Sequence, residues 1–314
     1  MSGWKSKAKR MLAIAAGLLT VLGALLAGTF TGKTLDVDEG QAFALPEPAK
    51  PPAAMRVRAL RAGSMSSRAA FAFRGGSFSE ERVFSMGGLL VEHPQGRLLF
   101  DTGFGRNVRA QIDGIPWLMR ATTTFELGTP IADQLRASGF DMSSLSGIVP
   151  THVHWDHISG VPDFPGVPIW LPRVEHAFIE SGGRATELMR SFGKLEVRPY
   201  DFPHGAYLGY PKSFDVFGDG SVVLVQAGGH TPGSIVAFIT EPSGRKLALI
   251  GDLAWQQEGV EQPTERPWVS RAIVDFDASR VRDEVARLHR IQRLIPELII
   301  VPAHEPRAWA KLVP

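Results

Sequence analysis

Short apolar segments separated by turn-forming residues make up most of this chain. Residues 83–93 and 97–103 are short, strand-like apolar segments on either side of the turn signal Pro-Gln-Gly, which predicts a β-hairpin. Residues 234–240 and 245–252 repeat this arrangement around Glu-Pro-Ser-Gly. The two segments of each pair should therefore lie side by side as antiparallel strands.

Other segments carry the spacing of amphipathic helices. The clearest is residues 279–295, and shorter helical patterns occupy residues 130–138 and 173–180. Apolar residues of the long segment recur every three or four positions: Val281, Val285, Leu288 and Ile291. Strands followed by helices recur in both halves of the chain, which predicts an α/β fold with sheets packed face to face and helices outside.

The N-terminal region has a different pattern from the rest. Four basic residues precede an uninterrupted apolar run over residues 11–27. This arrangement predicts a signal peptide or an N-terminal membrane anchor over residues 1–30, and both alternatives stay open. The proline-rich residues 31–55 predict a linker, and residues 56–314 the folded domain. We therefore expect an exported domain, either free in the periplasm or anchored to the outer face of the inner membrane.

Composition narrows the classes of function. The chain has 314 residues, 44% of them hydrophobic, which is enough for one large core. Its 34 lysines and arginines balance 32 aspartates and glutamates and are scattered along the chain, which argues against a nucleic-acid partner. The absence of cysteine excludes disulfides, thiolate ligands and cysteine nucleophiles. Any metal must therefore be bound through nitrogen and oxygen atoms.

A cluster of candidate ligands follows the segment 146–152, which predicts a buried strand running out at His152. His152, His154, Asp156 and His157 lie within six consecutive positions of a chain with nine histidines. A loop that opens a helix would bring these four side chains together on two neighbouring points. Imidazole and carboxylate groups without thiolate suit Zn²⁺, Fe²⁺, Mn²⁺ or Co²⁺.

Three further candidate ligands lie downstream, each where a strand is predicted to end. His230 stands in a glycine-rich turn, and Asp252 and His304 each follow an apolar strand. The remaining histidines within the domain are predicted to be structural: His93, His176, His204 and His289.

These residues make the chain similar to the metallo-β-lactamase fold family. The signature of that family is His-x-His-x-Asp-His, followed downstream by His, Asp and His. The segment Leu-Leu-Phe-Asp-Thr-Gly at residues 98–103 matches the usual upstream element, and the match runs from about residue 84 to residue 304. The resemblance implies an αββα sandwich of two mixed β-sheets packed face to face with helices outside.

The resemblance also implies two divalent metal ions, with Zn²⁺ expected and Fe, Mn or Co as alternatives. The first ion would be bound by three histidines: His152, His154 and His230. The second would be bound by one aspartate and two histidines: Asp156, His157 and His304. Asp252 would bridge the two ions. Asp101 would accept a hydrogen bond from a ligand imidazole and fix its tautomer.

A pair of divalent cations bound this close together indicates that the protein catalyses hydrolysis. They can bind one water between them and lower its pKa toward neutrality, which gives a hydroxide for attack on a carbonyl or phosphoryl group. Asp156 could in addition pass a proton to the leaving group, or serve only as a ligand. Asp101, Asp156 and Asp252 are therefore the predicted catalytic carboxylates.

Among members of the family, the chain is most similar to N-acyl-homoserine lactonases and related ester hydrolases. These usually carry tyrosine three residues after the bridging aspartate, where this chain has Trp255. Trp155 and Trp255 are predicted to bind the substrate, whereas Trp117 and Trp268 are predicted to be ordinary packing or surface residues. A phosphodiesterase or β-lactam hydrolase of the same fold is the alternative. A non-catalytic, membrane-tethered binding module is a third possibility, which degraded ligand positions would favour.

Overall fold

Two β-sheets with flanking helices form the molecule in the computed structural model, which describes residues 2–38 and 43–312. The strands are β1 Arg56–Arg68, β2 Glu81–His93, β3 Gly96–Phe100, β4 Thr124–Leu127, β5 Leu145–Val149, β6 Ile169–Pro172, β7 Val197–Tyr200, β8 Phe214–Asp215, β9 Val222–Gln226, β10 Ile235–Thr240, β11 Lys246–Leu249 and β12 Leu298–Val301.

Helices follow or separate the strands along the whole described chain. They are α1 Ser2–Phe30, α2 Ala69–Ala72, α3 Val108–Ile112, α4 Trp117–Thr122, α5 Ile131–Ala137, α6 Trp155–Ile158, α7 Arg173–Glu180, α8 Glu187–Ser191, α9 Glu258–Glu261, α10 Trp268–Val274, α11 Ala278–Leu294 and α12 Pro306–Ala310. Single turns of 3₁₀ helix occur at Met142–Ser144, Val161–Asp163 and Arg184–Thr186.

Both sheets are mixed, as predicted. The larger has seven strands in the order β4-β1-β2-β3-β5-β6-β7, antiparallel from β4 to β3 and parallel from β3 to β7. The smaller has five strands in the order β12-β11-β10-β9-β8, in which only the β11–β12 pair is parallel. The two hairpins predicted from the sequence are the β2–β3 and β10–β11 pairs.

Three buried clusters define the layers. The first lies between the sheets and joins residues of both, such as Leu89 and Phe100 with Leu224 and Leu249. The second packs the outer face of the larger sheet against helices that include α5 and α6. The third packs the outer face of the smaller sheet against α11, through residues such as Leu288. The predicted αββα sandwich is therefore confirmed.

The strand before the histidine cluster is shorter than predicted. We expected it to run out at His152, but β5 ends at Val149, directly before Pro150. Proline has no N–H group to donate to a neighbouring strand, so the ladder stops there. The backbone is then free to turn, and His152 and His154 lie in the loop that leads to α6.

The N-terminal part of the chain contacts the domain. The helix α1 contains one apolar span, Lys9–Phe30, which is long enough to cross a membrane and is not buried against the described residues. The described parts of the predicted linker lie along the domain surface: Leu35 N donates to Pro263 O, and Lys50 N donates to Asp219 O. The division of the chain at residues 30 and 55 remains a prediction.

A close approach of β2 to the end of β3 leaves no room for a side chain at Gly88. A Cβ there would lie 2.2 Å from Asp101 O and 2.7 Å from Phe100 O. We expect Gly88→Ala to lower the free energy of unfolding by about 1–3 kcal/mol or more, because the two strands must separate. Urea denaturation measures this change.

Gly205→Ala is the matched control, since no atom lies within 4 Å of a Cβ at that position. Its effect should stay within about 0.5 kcal/mol, as at most surface positions. Equal losses of stability in the two variants would contradict the packing described at Gly88.

Candidate active site

The seven predicted ligands converge at one edge of the sandwich. The two sheets contribute to it through the loops that follow the carboxyl ends of β5, β9, β11 and β12. Asp156 and His157 lie on the short helix α6, which begins directly after His154. His230 lies between β9 and β10, and Asp252 and His304 each follow a strand by three residues.

The donor atoms of these side chains form three overlapping groups, within each of which they lie no more than 4.8 Å apart. The groups are His152 with His154 and His230, His152 with His157 and Asp252, and Asp156 with His157 and His304. Asp252 reaches both ends of the cluster: its Oδ1 lies 3.0 Å from His304 Nε2, and its Oδ2 lies 3.5 Å from His230 Nε2. The residue therefore has the position of a bridge.

The donor set fits divalent cations. His152 Nε2, His157 Nε2 and Asp252 Oδ1 are buried and make no hydrogen bond of acceptable geometry among the described residues, although Asp252 Oδ1 lies 3.2 Å from His157 Nε2 and 3.0 Å from His304 Nε2. A buried polar atom without a partner costs about 1–3 kcal/mol, so three in one cluster indicate a missing ligand rather than a packing defect. Nitrogen and oxygen donors of this kind match the preferences of Zn²⁺ and of Fe²⁺, Mn²⁺ or Co²⁺.

Electrostatics divides the cluster in two. Burial, with the neighbouring imidazoles, lowers the pKa of His154 to about 3 and that of His152 well below its usual range. Both rings are therefore neutral and have a lone pair available for a metal. Burial also acts to lower the pKa of His304, but Asp252 and Asp156 outweigh it and raise the pKa to about 10. This second half of the cluster strongly attracts positive charge.

Asp101 orients one of the ligand imidazoles. Its Oδ2 lies 2.9 Å from His157 Nδ1, and its Oδ1 accepts a 2.7 Å hydrogen bond from Thr151 N. The backbone of Asp101 has a φ of +54°, a conformation that non-glycine residues rarely adopt. These contacts hold the carboxylate in place, so that His157 presents Nε2 to the cluster.

No sequence pattern predicted the corresponding partner of His230. Asp275 Oδ1 lies 2.8 Å from His230 Nδ1, although the two residues are 45 positions apart. Burial opposes ionisation of Asp275, but Arg266 and His230 outweigh it and lower the pKa of the carboxyl. Arg266 also donates a 2.7 Å hydrogen bond to the carbonyl oxygen of Asp252. It therefore connects Asp275, the partner of His230, to the loop that carries Asp252.

Glu175 on α7 is a second residue that the sequence analysis missed. Its buried carboxylate accepts hydrogen bonds from Val153 N at 3.1 Å, Gly233 N at 2.7 Å and Thr231 Oγ1 at 2.8 Å. Burial raises the pKa of Glu175 to about 7, and these three donors act against that rise by stabilising the ionised form. The side chain thus joins the loop between His152 and His154 to the loop that carries His230.

The two tryptophans predicted to bind substrate both line the cavity above the cluster. Trp155 stacks on Phe104 with ring centroids 5.6 Å apart. Trp255 Nε1 donates a 2.7 Å hydrogen bond to Asp252 Oδ2, and the guanidinium of Arg266 lies 4.9 Å from the Trp255 ring. The indole N–H therefore contacts the bridging carboxylate, which the sequence analysis did not predict.

The cavity has a volume of about 510 Å³ and mainly apolar walls. Five of the predicted ligands form its base: His154, Asp156, His230, Asp252 and His304. Its walls include Met65, Phe71, Phe84, Ile115, Leu118 and Met119. A pocket of this size and composition suits a small ligand with an apolar part.

The four histidines predicted to be structural lie outside this cluster. His93 stacks on Phe217 and contacts Asp219, and His289 Nδ1 lies 2.8 Å from Val260 O. His176 lies beside Glu180 on α7, and His204 N bonds to Ser213 O.

The family model for the metallo-beta-lactamase superfamily matches residues 89–304 of this chain. The chain belongs to this superfamily, so the resemblance predicted from the sequence is confirmed. The N-acyl homoserine lactonase AttM of Agrobacterium fabrum is 27% identical over 233 residues, which cover 70% of this chain and 82% of that protein. A probable metallo-hydrolase of Mycobacterium tuberculosis is 31% identical over 233 residues, covering 69% and 74%.

Solved structures share the fold at lower identity. An N-acyl homoserine lactone hydrolase with N-hexanoyl-L-homoserine at its catalytic metal center superposes with a TM-score of 0.63 and 18% identity, covering 81% of this chain and 95% of that chain. AidC, a dizinc quorum-quenching lactonase, superposes with a TM-score of 0.55 and 18% identity, covering 82% and 90%.

Glu175→Gln tests the connection between the two loops. An amide nitrogen cannot accept the hydrogen bond from Gly233 N, so the loop that carries His230 should loosen. We expect the affinity of the cluster for Zn²⁺ to fall about 10- to 100-fold, as on loss of other groups that orient ligands. Competition with a chromophoric chelator measures the affinity.

Glu180→Gln is the matched control, because Glu180 lies on the same helix with an exposed side chain. It should bind Zn²⁺ as the unchanged protein does. A Glu175→Gln variant with the same affinity as this control would show that Glu175 does not position the loops.

Proposed function

We propose that this protein is a dinuclear metal-dependent hydrolase that opens lactones or cleaves other carboxylic esters. The observation that carries the proposal is the convergence of seven histidine and aspartate side chains in one cluster. Three of them have buried donor atoms without a hydrogen bond, and five of the seven form the base of one cavity. All seven ligand positions of the superfamily signature are present, which argues against a non-catalytic binding module.

The proposed ligand sets follow the geometry of the cluster. One cation would be held by the neutral-imidazole half: His152, His154 and His230. The other would be held by the carboxylate-rich half: Asp156, His157 and His304. Asp252 would span the two. When bound, two such cations lower the pKa of a shared water toward neutrality and polarise a substrate carbonyl. Zn²⁺ is the proposed metal, and Fe, Mn or Co are the alternatives.

Asp156 is the proposed proton carrier. In lactone hydrolysis the oxygen of a water molecule forms a bond to the acyl carbon and the water gives up a proton. The acyl C–O bond of the ring breaks, and the departing oxygen gains that proton. Asp156 lines the cavity, and its Oδ2 lies 3.3 Å from His304 Nε2. Its carboxylate can therefore accept a proton on the cavity side and deliver it to the departing oxygen. Asp101 would act indirectly, by keeping His157 in one tautomer.

The cavity walls support a substrate with an acyl chain. Apolar residues predominate along them, and several relatives and structural neighbours are N-acyl homoserine lactonases by name. The proposed substrate is thus a lactone that carries an apolar acyl group. Trp255 cannot replace the usual tyrosine as a free donor while its N–H is bonded to Asp252. We propose that it holds this carboxylate in its bridging orientation instead.

We further propose that residues 1–30 direct the chain to the inner membrane and beyond it, either as a signal peptide or as an anchor. The unburied apolar span Lys9–Phe30 supports this assignment. Lys9 and Arg10 at its start suit the cytoplasmic end of such a helix. The domain over residues 56–314 would then lie on the outer side.

Loss of the bridging or the terminal ligand should abolish hydrolysis. We expect Asp252→Asn and His304→Ala to lower kcat/KM for an N-acyl homoserine lactone more than about 100-fold, beyond the usual effect of removing a group that only orients a ligand. Metal content, measured on the same samples, should fall below that of the unchanged protein.

Asp219→Asn and His289→Ala are the matched controls, since both residues lie outside the cluster. They should retain activity and metal. Unchanged turnover in the Asp252 and His304 variants would rule out the proposed mechanism, and turnover of phosphodiesters or β-lactams alone would reassign the substrate class.

Trp255→Phe tests the indole hydrogen bond. The substitution keeps an aromatic wall but leaves Asp252 Oδ2 without its donor. We expect kcat to fall about 10-fold, the lower end of the range for groups that orient metal ligands, with little change in KM. Steady-state kinetics on the lactone separates the two constants.

Trp170→Phe is the corresponding control, because Trp170 Nε1 is buried without a hydrogen-bond partner among the described residues. It loses no such bond and should keep its kcat. A rise in KM alone for Trp255→Phe would mean that Trp255 acts as a substrate wall and not on Asp252.

A further inference from the structure

The apolar part of α1 has the length of a bilayer core. Lys9–Phe30 comprises 22 residues and is not buried within the molecule. At about 1.5 Å per residue such a helix extends about 33 Å, against about 30 Å for the hydrocarbon core of a bilayer. If α1 spans the membrane, Phe30 at its end must therefore lie at the outer interface.

This end of α1 is fixed directly to the wall of the substrate cavity. The Phe30 ring lies 6.1 Å from that of Phe71, which lines the cavity, and 4.9 Å from that of Phe78. Arg74 donates hydrogen bonds of 3.0 Å to the carbonyl oxygens of Gly28 and Thr31. No flexible spacer separates the apolar helix from the cavity.

A second wall of the cavity also contacts the end of α1. The side chain of Thr29 accepts a hydrogen bond from Trp268 N at the start of α10. Val269, Ile273 and Val274 of the same helix line the cavity. The membrane-sized helix thus ends between α2 and α10, which are both walls of the pocket.

Large apolar side chains are exposed on α10, on α4 and on the segments that follow α2 and α10. We call them the rim: Phe78, Trp117, Trp268, Ile273 and Phe276. Trp117 begins α4, whose Leu118 and Met119 line the cavity, and its side chain is 72% exposed. Phe276, two residues beyond α10, is 66% exposed. Exposed apolar groups of this kind mark contact surfaces, and tryptophan is enriched where proteins meet the membrane interface.

We propose that the rim lies on the outer leaflet of the bilayer that holds α1, so that the cavity opens onto lipid. This rests on the proposed function in one respect, namely that α1 is retained as an anchor. The attachment of α1 beside the rim favours lipid over a second copy of the chain, because the same short contacts that fix Phe30 bring the membrane surface to the rim. A substrate with an apolar acyl chain would then enter the cavity from the bilayer without crossing water.

The chain has no cysteine, so single-cysteine variants give site-specific spin labels without background. The rim variants are Trp117→Cys, Trp268→Cys and Phe276→Cys, each in the full chain in phosphatidylethanolamine–phosphatidylglycerol vesicles. Leu294→Cys is the control: Leu294 is 54% exposed, close to the 53% of Trp268. Leu294 is the last residue of α11 and precedes the amino-terminal end of β12, whereas the site follows the carboxyl end of that strand.

Power-saturation EPR compares collisions of each label with oxygen, which concentrates in lipid, and with a water-soluble nickel chelate. We expect oxygen to dominate at the three rim positions and the chelate to dominate at Leu294. Rim labels that behave like the Leu294 label would overturn the proposal. Dipolar broadening at the rim would also overturn it, because a second copy of the chain would then cover this surface.

The measurement needs neither metal nor substrate, so its outcome is independent of hydrolysis. If the rim labels lie in lipid but the protein does not hydrolyse lactones, the membrane-facing rim is supported and the proposed function is wrong. If the rim labels lie in water but lactones are hydrolysed, the proposed function is supported and the membrane-facing rim is wrong. The intact mass of the protein recovered from cell membranes is the second test, since a chain cleaved after α1 would overturn the membrane-facing rim.

Discussion

Three buried carboxylates lie at the common edge of the two sheets, and the need to pair their charge determines how the candidate site is arranged. Asp101, Asp252 and Asp275 are all withdrawn from water, and a buried charge is costly unless it is paired. Each one lies against an imidazole nitrogen of the candidate site. Asp101 and Asp275 contact Nδ1 of their rings and so leave Nε2 facing the cluster, whereas Asp252 lies within the cluster and contacts Nε2 of His304. The three carboxylates together make the cluster attract cations.

The topology of the two sheets creates this common edge. The carboxyl ends of strands from both sheets meet there, and the loops that follow them carry all seven candidate ligands. Two residues connect loops that would otherwise be independent. Glu175 joins the segment around Val153 to that around Thr231, and Arg266 joins Asp252 to Asp275. Side chains that do not line the cavity thus connect the loops that carry the site.

Local patterns predicted a large part of this arrangement. Short apolar segments and turn signals predicted the two hairpins, and apolar spacing predicted α11. The spacing of His152 to His157, with the family resemblance that added the downstream ligands, predicted the cluster. Asp275 and Glu175 were not predicted, because their partners are distant in the sequence and a lone acidic residue carries no pattern. The contact between the Trp255 indole and Asp252 also required coordinates, since a rotamer decides it.

The end of β5 and the course of the chain before Met55 illustrate the same limit. Pro150 ends β5 at Val149, although the sequence pattern alone predicted that the strand continues to His152. The proline-rich composition of residues 31–55 predicted a linker. That assignment remains a prediction, and the described parts of the segment follow the domain surface through backbone contacts such as that between Leu35 and Pro263. A proline-rich composition indicates that a segment is stiff and extended, but it does not specify which surface the segment contacts.

If the seven side chains form one dinuclear centre for hydrolysis, each chain should bind two metal ions. Purified protein of residues 1–314, supplemented with Zn²⁺ and then freed of excess metal, should contain two ions per chain by mass spectrometry and should hydrolyse an N-acyl homoserine lactone. Removal of both ions by a chelator should abolish turnover, and their return should restore it. One ion or none per chain, with turnover unaffected by the chelator, would contradict the account.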